Sequence, residues 1–274
     1  MSVSYTTTWV MCATLFGEAA ESMPPDERRA ARLEALQAVV DAVELQSATS
    51  PPQTFARSAH PVLKYTNPVT SRFAEGVMYF WLDERRPVAA VSTSIRDDGA
   101  IYWELSSLSD KPLRLSRNGS VVWKPKSGGH PSERVPEAPP PAETAAARLI
   151  QMRQLARRFR LREERREAWQ DGRLLTQPLY RWDHAADGVI DGALFGFAET
   201  TDPELLLMFE ARRGDGDAPQ WWFSVAKMTS SPVEVYLDDR QIWSVGGYWR
   251  NPRSPEDPYV EAKVGQIDPS LNPQ

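Results

Sequence analysis

The stretch Tyr-Arg-Trp-Asp-His, Tyr180 to His184, sets a cation, a carboxylate and an imidazole almost side by side. An Asp can hold a His ring in one tautomer, and a ring so held serves as a general acid or base. That chemistry also needs a nucleophile, and no serine of the chain stands in a Gly-x-Ser-x-Gly setting. Read as a strand, the stretch sends Arg181 and Asp183 to one side and Tyr180 and Trp182 to the other. The expectation is ordinary sheet packing, with Arg181, Asp183 and His184 as candidate ligand-binding residues and none assigned to catalysis.

Carboxylates supply the next candidates. Glu75 and Asp191 each stand before a glycine, Gly76 and Gly192. They would form either a matched acidic pair or the acids of two tight turns. Glu210 lies in the apolar run Leu205 to Ala211, close to Arg212 and Arg213. A glutamate there is either ion-paired or a base with a shifted pKa, and ion pairing is expected. Asp191 and Glu210 join the ligand-binding candidates. Together with Asp183 and Glu104 they are also the carboxylates from which a hydrolase would draw.

The cationic run Arg153 to Glu167 reads as one basic helix, with Arg153, Arg157, Arg158 and Arg160 as candidate contacts for a polyanion. There is no Gly-rich phosphate loop, dinucleotide fingerprint or metal-ligand motif. The only cysteine is Cys12, and the only histidines are His60, His130 and His184. No cofactor and no metal are expected.

The elements that carry these residues come in two copies. Pro61-Val62-Leu63-Lys64-Tyr65 aligns with Pro178-Leu179-Tyr180-Arg181-Trp182. Glu75-Gly76 then falls on Asp191-Gly192, Pro87 on Pro203, Tyr102-Trp103 on Trp222-Phe223, Pro112 on Pro232, and Trp123 on Trp243. Leu33, Leu36, Val40 and Val43 have the spacing of one helix face, and so do Leu149, Met152, Ala156 and Phe159. "Ala-Arg-Leu" recurs at Ala31 to Leu33 and Ala147 to Leu149. Asp98-Gly99, Asn118-Gly119, Asp191-Gly192 and Gly214 to Gly216 read as hairpin turns. Leu205, Leu207, Phe209 and Ala211 share one face of a strand, as do Ala89, Val91, Thr93 and Ile95, with a more polar face opposite.

The predicted class is α+β with an internal duplication, each unit an amphipathic helix packed on an antiparallel β-meander. The expected boundaries are a leader at 1–22, a first unit at 23–124, a Pro-rich linker at 125–141, a second unit at 142–245 and an irregular tail at 246–274. The two units would stack face to face or join edges.

With 274 residues, a net charge of −5 and a pI near 5.4, the chain has the composition of a globular protein without a global attraction for nucleic acid. Nucleic acid is therefore not an expected partner, and a protein or surface partner is. The ten tryptophans are read first as core. No apolar run reaches the roughly 18 residues of a membrane-spanning helix. The N-terminus has a short apolar stretch, Trp9 to Gly17, and the small residues Ala19-Ala20, but no positive n-region. Export to the periplasm or cell envelope is expected over a cytoplasmic location.

From Arg173 to Arg213 the chain reads RLLTQPLYRWDHAADGVIDGALFGFAETTDPELLLMFEARR. It resembles a family of uncharacterised planctomycete proteins carrying LRLL-x-x-PLYRY, DGALF-x-F, and TDPE followed by an apolar strand and EAR. The first unit resembles its counterpart more loosely, through Thr66 to Val69 and Ser107 to Leu113. The resemblance implies export, since those proteins commonly begin with a signal peptide, and implies no activity. Family members often carry histidine just before the Ser-Leu stretch. Here Ile-Tyr-Trp-Glu-Leu-Ser-Ser-Leu-Ser has Glu104 and no histidine, so His-based chemistry is not carried over. The functional expectation is a non-catalytic binding or assembly protein of the cell envelope. The alternative is a carboxylate-dependent hydrolase working in a cleft between the units.

Overall fold

Pro24 and Pro25 preset the backbone for a first helical turn, and Asp26 and Glu27 sit at the positive end of its dipole. Helix α1 (Pro25–Asp41) follows and buries Leu36, Val39 and Val40. The computed structural model describes residues 23–67, 73–184, 188–213, 218–248 and 254–272. The expected leader and the Gly214–Gly216 turn lie outside these. After α1 come β1 (Val43–Ser47), β2 (Thr54–Arg57), β3 (Leu63–Asn67), β4 (Phe73–Asp83), β5 (Arg86–Ile95), β6 (Ala100–Ser107), β7 (Leu113–Arg117) and β8 (Ser120–Trp123). Strand β9 (His130–Arg134) precedes α2 (Ala145–Ala156). The second copy continues with β10 (Phe159–Arg165), β11 (Ala168–Leu174), β12 (Tyr180–His184), β13 (Val189–Ala198), β14 (Pro203–Arg212), β15 (Gln220–Lys227), β16 (Val233–Leu237) and β17 (Arg240–Val245). Strand β18 (Tyr259–Gln266) comes last.

The strands form two nine-stranded antiparallel sheets that match strand for strand. One runs β18-β6-β5-β4-β2-β1-β7-β8 with β3 beside β4. The other runs β9-β15-β14-β13-β11-β10-β16-β17 with β12 beside β13. The duplicated, β-rich architecture is therefore present, but the unit is not a helix on a meander. The long runs in chain order are β3-β4-β5-β6 and β12-β13-β14-β15, and the remaining strands pair as separate hairpins or across the chain. The first strand of each unit returns to pair with β7 or β16, so the sheet curls. Residues from both ends of each sheet then share one core with the helix: Leu36, Leu45, Val91, Leu115 and Trp123 in one, Met152, Leu161, Leu207, Val235 and Phe223 in the other. Each such side chain contributes about 1.5–3 kcal/mol when fully buried.

The edge strand beyond β6 and β15 comes from the opposite unit. The expected linker carries β9, which pairs with β15, and the expected tail carries β18, which pairs with β6 from Tyr259↔Ser106 to Gln266↔Ala100. Proline and glycine suggested irregular chain in both segments. An edge strand tolerates Pro131, however, because its outer N–H positions need no partner. Each unit thus lends its trailing strand to the other.

The echoed Pro-x-x-(Lys/Arg)-aromatic also has a physical reason. Tyr65 lies directly opposite Gly76, and Trp182 directly opposite Gly192. A Cβ at Gly76 would meet the Tyr65 ring at 2.2 Å, and one at Gly192 the Trp182 ring at 2.3 Å. The aromatic therefore lies flat over a position where only glycine fits. Gly192→Ala is expected to force Trp182 aside and lower stability by about 1–3 kcal/mol in urea denaturation. An unchanged midpoint would remove this account of the repeat.

The acid before each glycine is bound by the arginine of the repeated Ala-Arg-Leu. Arg32 reaches Glu75 at 3.2 Å and Arg148 reaches Asp191 at 2.9 Å, each pair 43 residues apart. Glu75 and Asp191 are thus equivalent helix-to-sheet anchors, not a pair with one another. Helix α2 is capped by Thr144, whose hydroxyl accepts from the Ala147 N–H at 3.3 Å. It ends at Ala156, so the cationic run is not one helix. Phe159, Leu161 and Glu163 alternate inward along β10, because the period there is two.

The two sheets stack face to face. Every residue of β5 after Arg86, and of β14 before Arg212, is buried. One set of alternate side chains enters the unit's own core. The other enters a third cluster between the units, including Met78, Phe80, Ala90, Leu194, Leu206 and Met208. The expectation of one covered and one polar sheet face fails for this reason: the second face is covered by the other copy.

Candidate functional site

The apolar seam between the units has a polar pole at each end, related by the duplication. Positions Arg86, Ser94, Arg96 and Glu104 of the first unit correspond to Asp202, Glu210, Arg212 and Ser224 of the second. Ser47, Thr49, Val88 and Ser109 correspond to Glu163, Arg165, Glu204 and Thr229.

At one pole these positions hold large charged groups that bond to each other. The Arg165 Nε donates to Glu163 at 2.9 Å and lies 2.8 Å from Glu199, and the same guanidinium reaches Glu204. The Thr229 hydroxyl donates to Glu163 at 2.7 Å, and the Tyr259 hydroxyl to Glu104 at 2.6 Å. About 100 Å³ of space remains, lined among others by Glu104, Asp202, Glu204 and Arg96. Glu163, Glu199 and Glu204 lie close enough to share a cation, and the Arg165 guanidinium already bonds to all three. Burial, then the charge of Glu261, pushes the Glu104 carboxyl well above the usual range, against the Tyr259 hydrogen bond. Burial, then Glu163 and Asp202, does the same to Glu204. Burial also pushes Lys227 down to about 8, and its Nζ donates to the Gly246 carbonyl at 2.8 Å.

These shifts set a pH dependence. A carboxyl raised in the folded state contributes most below its unfolded pKa, about 4.3 for Glu, and that contribution is lost as pH rises toward the folded value. Glu104→Gln keeps an acceptor for Tyr259 and removes the charge. It is expected to raise the urea midpoint at pH 8 and leave it unchanged near pH 4. An equal shift at both pH values would show that Glu104 is not held protonated.

At the other pole Ser47, Thr49, Val88 and Ser224 stand where the filled pole has Glu163, Arg165, Glu204 and Glu104, and a groove opens. A 370 Å³ pocket has a floor of Leu108, Leu206, Met208 and Ala226 and a rim of Ser127, Ser132 and Ser224. A second space of 370 Å³ adjoins it, lined by Ser47, Thr49, Gln53 and Phe55. Arg86 and Arg212 line both. Behind them Glu210 accepts from Arg86 Nε at 2.7 Å, Arg212 Nε at 3.0 Å and Trp182 Nε1 at 3.3 Å. Burial alone would raise the Glu210 carboxyl, but Arg86 and Arg212 overcome it and hold it below the usual range.

The sequence-derived candidates scatter. Arg181 and Asp191 do come together at 2.6 Å, at the α2 anchor and outside the groove. Asp183 is exposed and pairs with Arg85 of the first unit. His184 closes β12, and its side chain lies outside the described residues. Glu210 is ion-paired, as expected, and becomes the wall of the open pole. Of the cationic set, Arg153 bonds Gln177, Arg157 is exposed at the end of α2, Arg158 pairs with Asp238 at 3.0 Å and Arg160 with Asp171 at 3.5 Å. Arg212 was read as the cation beside Glu210 and Arg165 as part of a basic helix, while Arg86, Asp202 and Glu204 went unnoticed. Their signal was the alignment of the two copies, in which these positions differ in charge or size.

No protein-family model, no curated protein and no solved structure matches the chain.

Proposed function

We propose that the protein is a non-catalytic binding protein whose ligand sits at the open pole between its two units. One observation carries this reading: Glu163, Arg165, Glu204 and Glu104 fill one pole, and their equivalents Ser47, Thr49, Val88 and Ser224 leave a groove at the other. Two copies that served only to cover each other would have no use for that difference. The open space is of the size that small-molecule sites take, with an apolar floor and a few polar groups. A ligand that binds only the folded chain raises its thermal midpoint. The test is a thermal-shift panel on the full chain and on Ser224→Trp, which fills the groove from its rim. The expected result is a shift in the parent that disappears in the variant. A shift that survives would place the ligand elsewhere.

One observation favours a second reading, a carboxylate-dependent hydrolase. Glu104 and Glu204, both held up in pKa, line one space with Asp202 at the filled pole, and a carboxyl kept protonated by its surroundings can serve as a general acid. Turnover of a glycoside and ester panel, lost in Glu104→Gln with the fold intact, would support it. Absence of turnover across the panel would leave the binding reading alone.

A further inference from the structure

We infer that the filled pole binds a small guanidinium-bearing cation in the space that remains there; this does not rest on the open-pole reading. The first ground is the pairing of charge. Glu104, Asp202, Glu204 and Glu261 line that space, and the cations beside them are Arg96 and Arg165. Arg96 is bound to Glu261, and Arg165 is divided among Glu163, Glu199 and Glu204. The Lys227 ammonium donates to the Gly246 carbonyl, and its charge acts on Glu163. Glu104 and Asp202 accept from the Tyr259 and Thr200 hydroxyls and, among the described residues, have no ion pair. Burial, more than any neighbouring charge, pushes both carboxyls above their usual range, and Glu204 with them. A cation placed there compensates charge that burial otherwise leaves to a proton.

The second ground is a hydroxyl. Ser94 is 6% exposed and lines the same space, and its hydroxyl has no hydrogen-bond partner among the described residues. A buried polar group left in that state calls for a donor or an acceptor. The third ground is the twin. At the open pole the equivalents of Asp202 and Ser94 are Arg86 and Glu210, and the Arg86 guanidinium bonds Glu210 across the units. At the filled pole a short acid and a serine stand in their place, and about 100 Å³ is left between them and their neighbours. That is room for about four heavy atoms, the size of one guanidinium. Glu104 and Asp202 stand outside the group of carboxylates close enough to share a metal ion, which suits a flat cation with several N–H donors better than a compact one. Tyr102, Thr200, Ser230 and Ser231 of the lining are part-exposed, so solutes reach the space.

The experiment is isothermal titration of the full chain with methylguanidinium at millimolar concentration. N-methylurea is the neutral isostere, and methylammonium, calcium and magnesium are the competing cations. Methylguanidinium is expected to bind at pH 8 about tenfold more tightly than N-methylurea. It should also bind about tenfold more tightly at pH 8 than at pH 5, because binding expels protons held by Glu104 and Glu204. Buffers of different ionisation enthalpy should report that proton release directly. Asp202→Asn keeps the side-chain shape and an acceptor for Thr200, and is expected to weaken binding about tenfold. Because Asp202 is buried, Ser94→Ala accompanies it: it removes one acceptor, and should weaken binding about threefold while keeping the pH dependence. The inference is overturned by no binding of methylguanidinium at pH 8, by N-methylurea binding as tightly, or by methylammonium or either metal ion binding more tightly. Binding that Asp202→Asn leaves unchanged would overturn it too. The open-pole reading has its own variant, and none of these outcomes touches it.

Discussion

Glu210→Ala is expected to lower the unfolding free energy by about 3–5 kcal/mol, the largest effect of any single substitution at the open pole. Glu210 is the common acceptor of Arg86, Arg212 and the Trp182 indole, and its side chain is 2% exposed. Removing it leaves two guanidinium groups facing each other in a partly desolvated site, one from each unit. The loss therefore falls on the joint between the units as well as on β14. Glu210→Gln keeps an acceptor for Trp182 and one arginine, and should lose less. Guanidinium denaturation at neutral pH measures both. Acid should act as the mutation does. The Glu210 carboxyl is depressed in the folded state, so its contribution is present above about pH 4.3 and is lost as pH falls through its folded pKa. A Glu210→Ala protein as stable as the parent would show that the two arginines are neutralised some other way.

The second large effect is expected from cutting the chain between Pro139 and Pro140, both exposed and both beyond β9. The piece 1–139 keeps β9, which belongs to the sheet of the second unit, and the piece 140–274 keeps β18, which belongs to the sheet of the first. Each piece then lacks its own outer strand and leaves the edge of β6 or β15 open, a template for pairing with other chains. Neither piece should give a folded monomer. Mixed, they should form a one-to-one complex with the circular dichroism of the intact protein, measured by light scattering and far-UV spectra. A stable monomer of 140–274 would mean that the exchanged strands are decoration.

The duplication was legible because its signals are local and chemically strict. Gly76 and Gly192 must be glycine under an aromatic ring, and Arg32 and Arg148 must reach an acid from the same turn of a helix. The exchange of β9 and β18 was not legible. Strand pairing across 165 residues, as the Arg96–Glu261 contact shows, leaves no periodicity in the strand itself. Pro131 and the prolines around β18 pointed to irregular chain, since nothing in those stretches says that an edge position awaits them. The cationic run misled for a related reason. Leu155 and Phe159 have helical spacing, yet the helix ends between them and the spacing that continues is that of a strand. The site was missed because chemistry was sought in clusters along the chain. Arg86, Glu210 and Arg212 meet only when two copies of a strand are stacked, and the useful comparison was each position with its twin.

The reciprocal strands also set the order of events during synthesis. The first unit's sheet cannot close when residue 124 leaves the ribosome, since its outer strand is Tyr259–Gln266. At about 5–20 residues per second, the remaining chain takes on the order of ten seconds to arrive. Through that interval the edge of β6 and the apolar face around Met78 and Phe80 stay uncovered. The first sheet is completed only when Tyr259–Gln266 arrives, so it forms with both halves of the chain present.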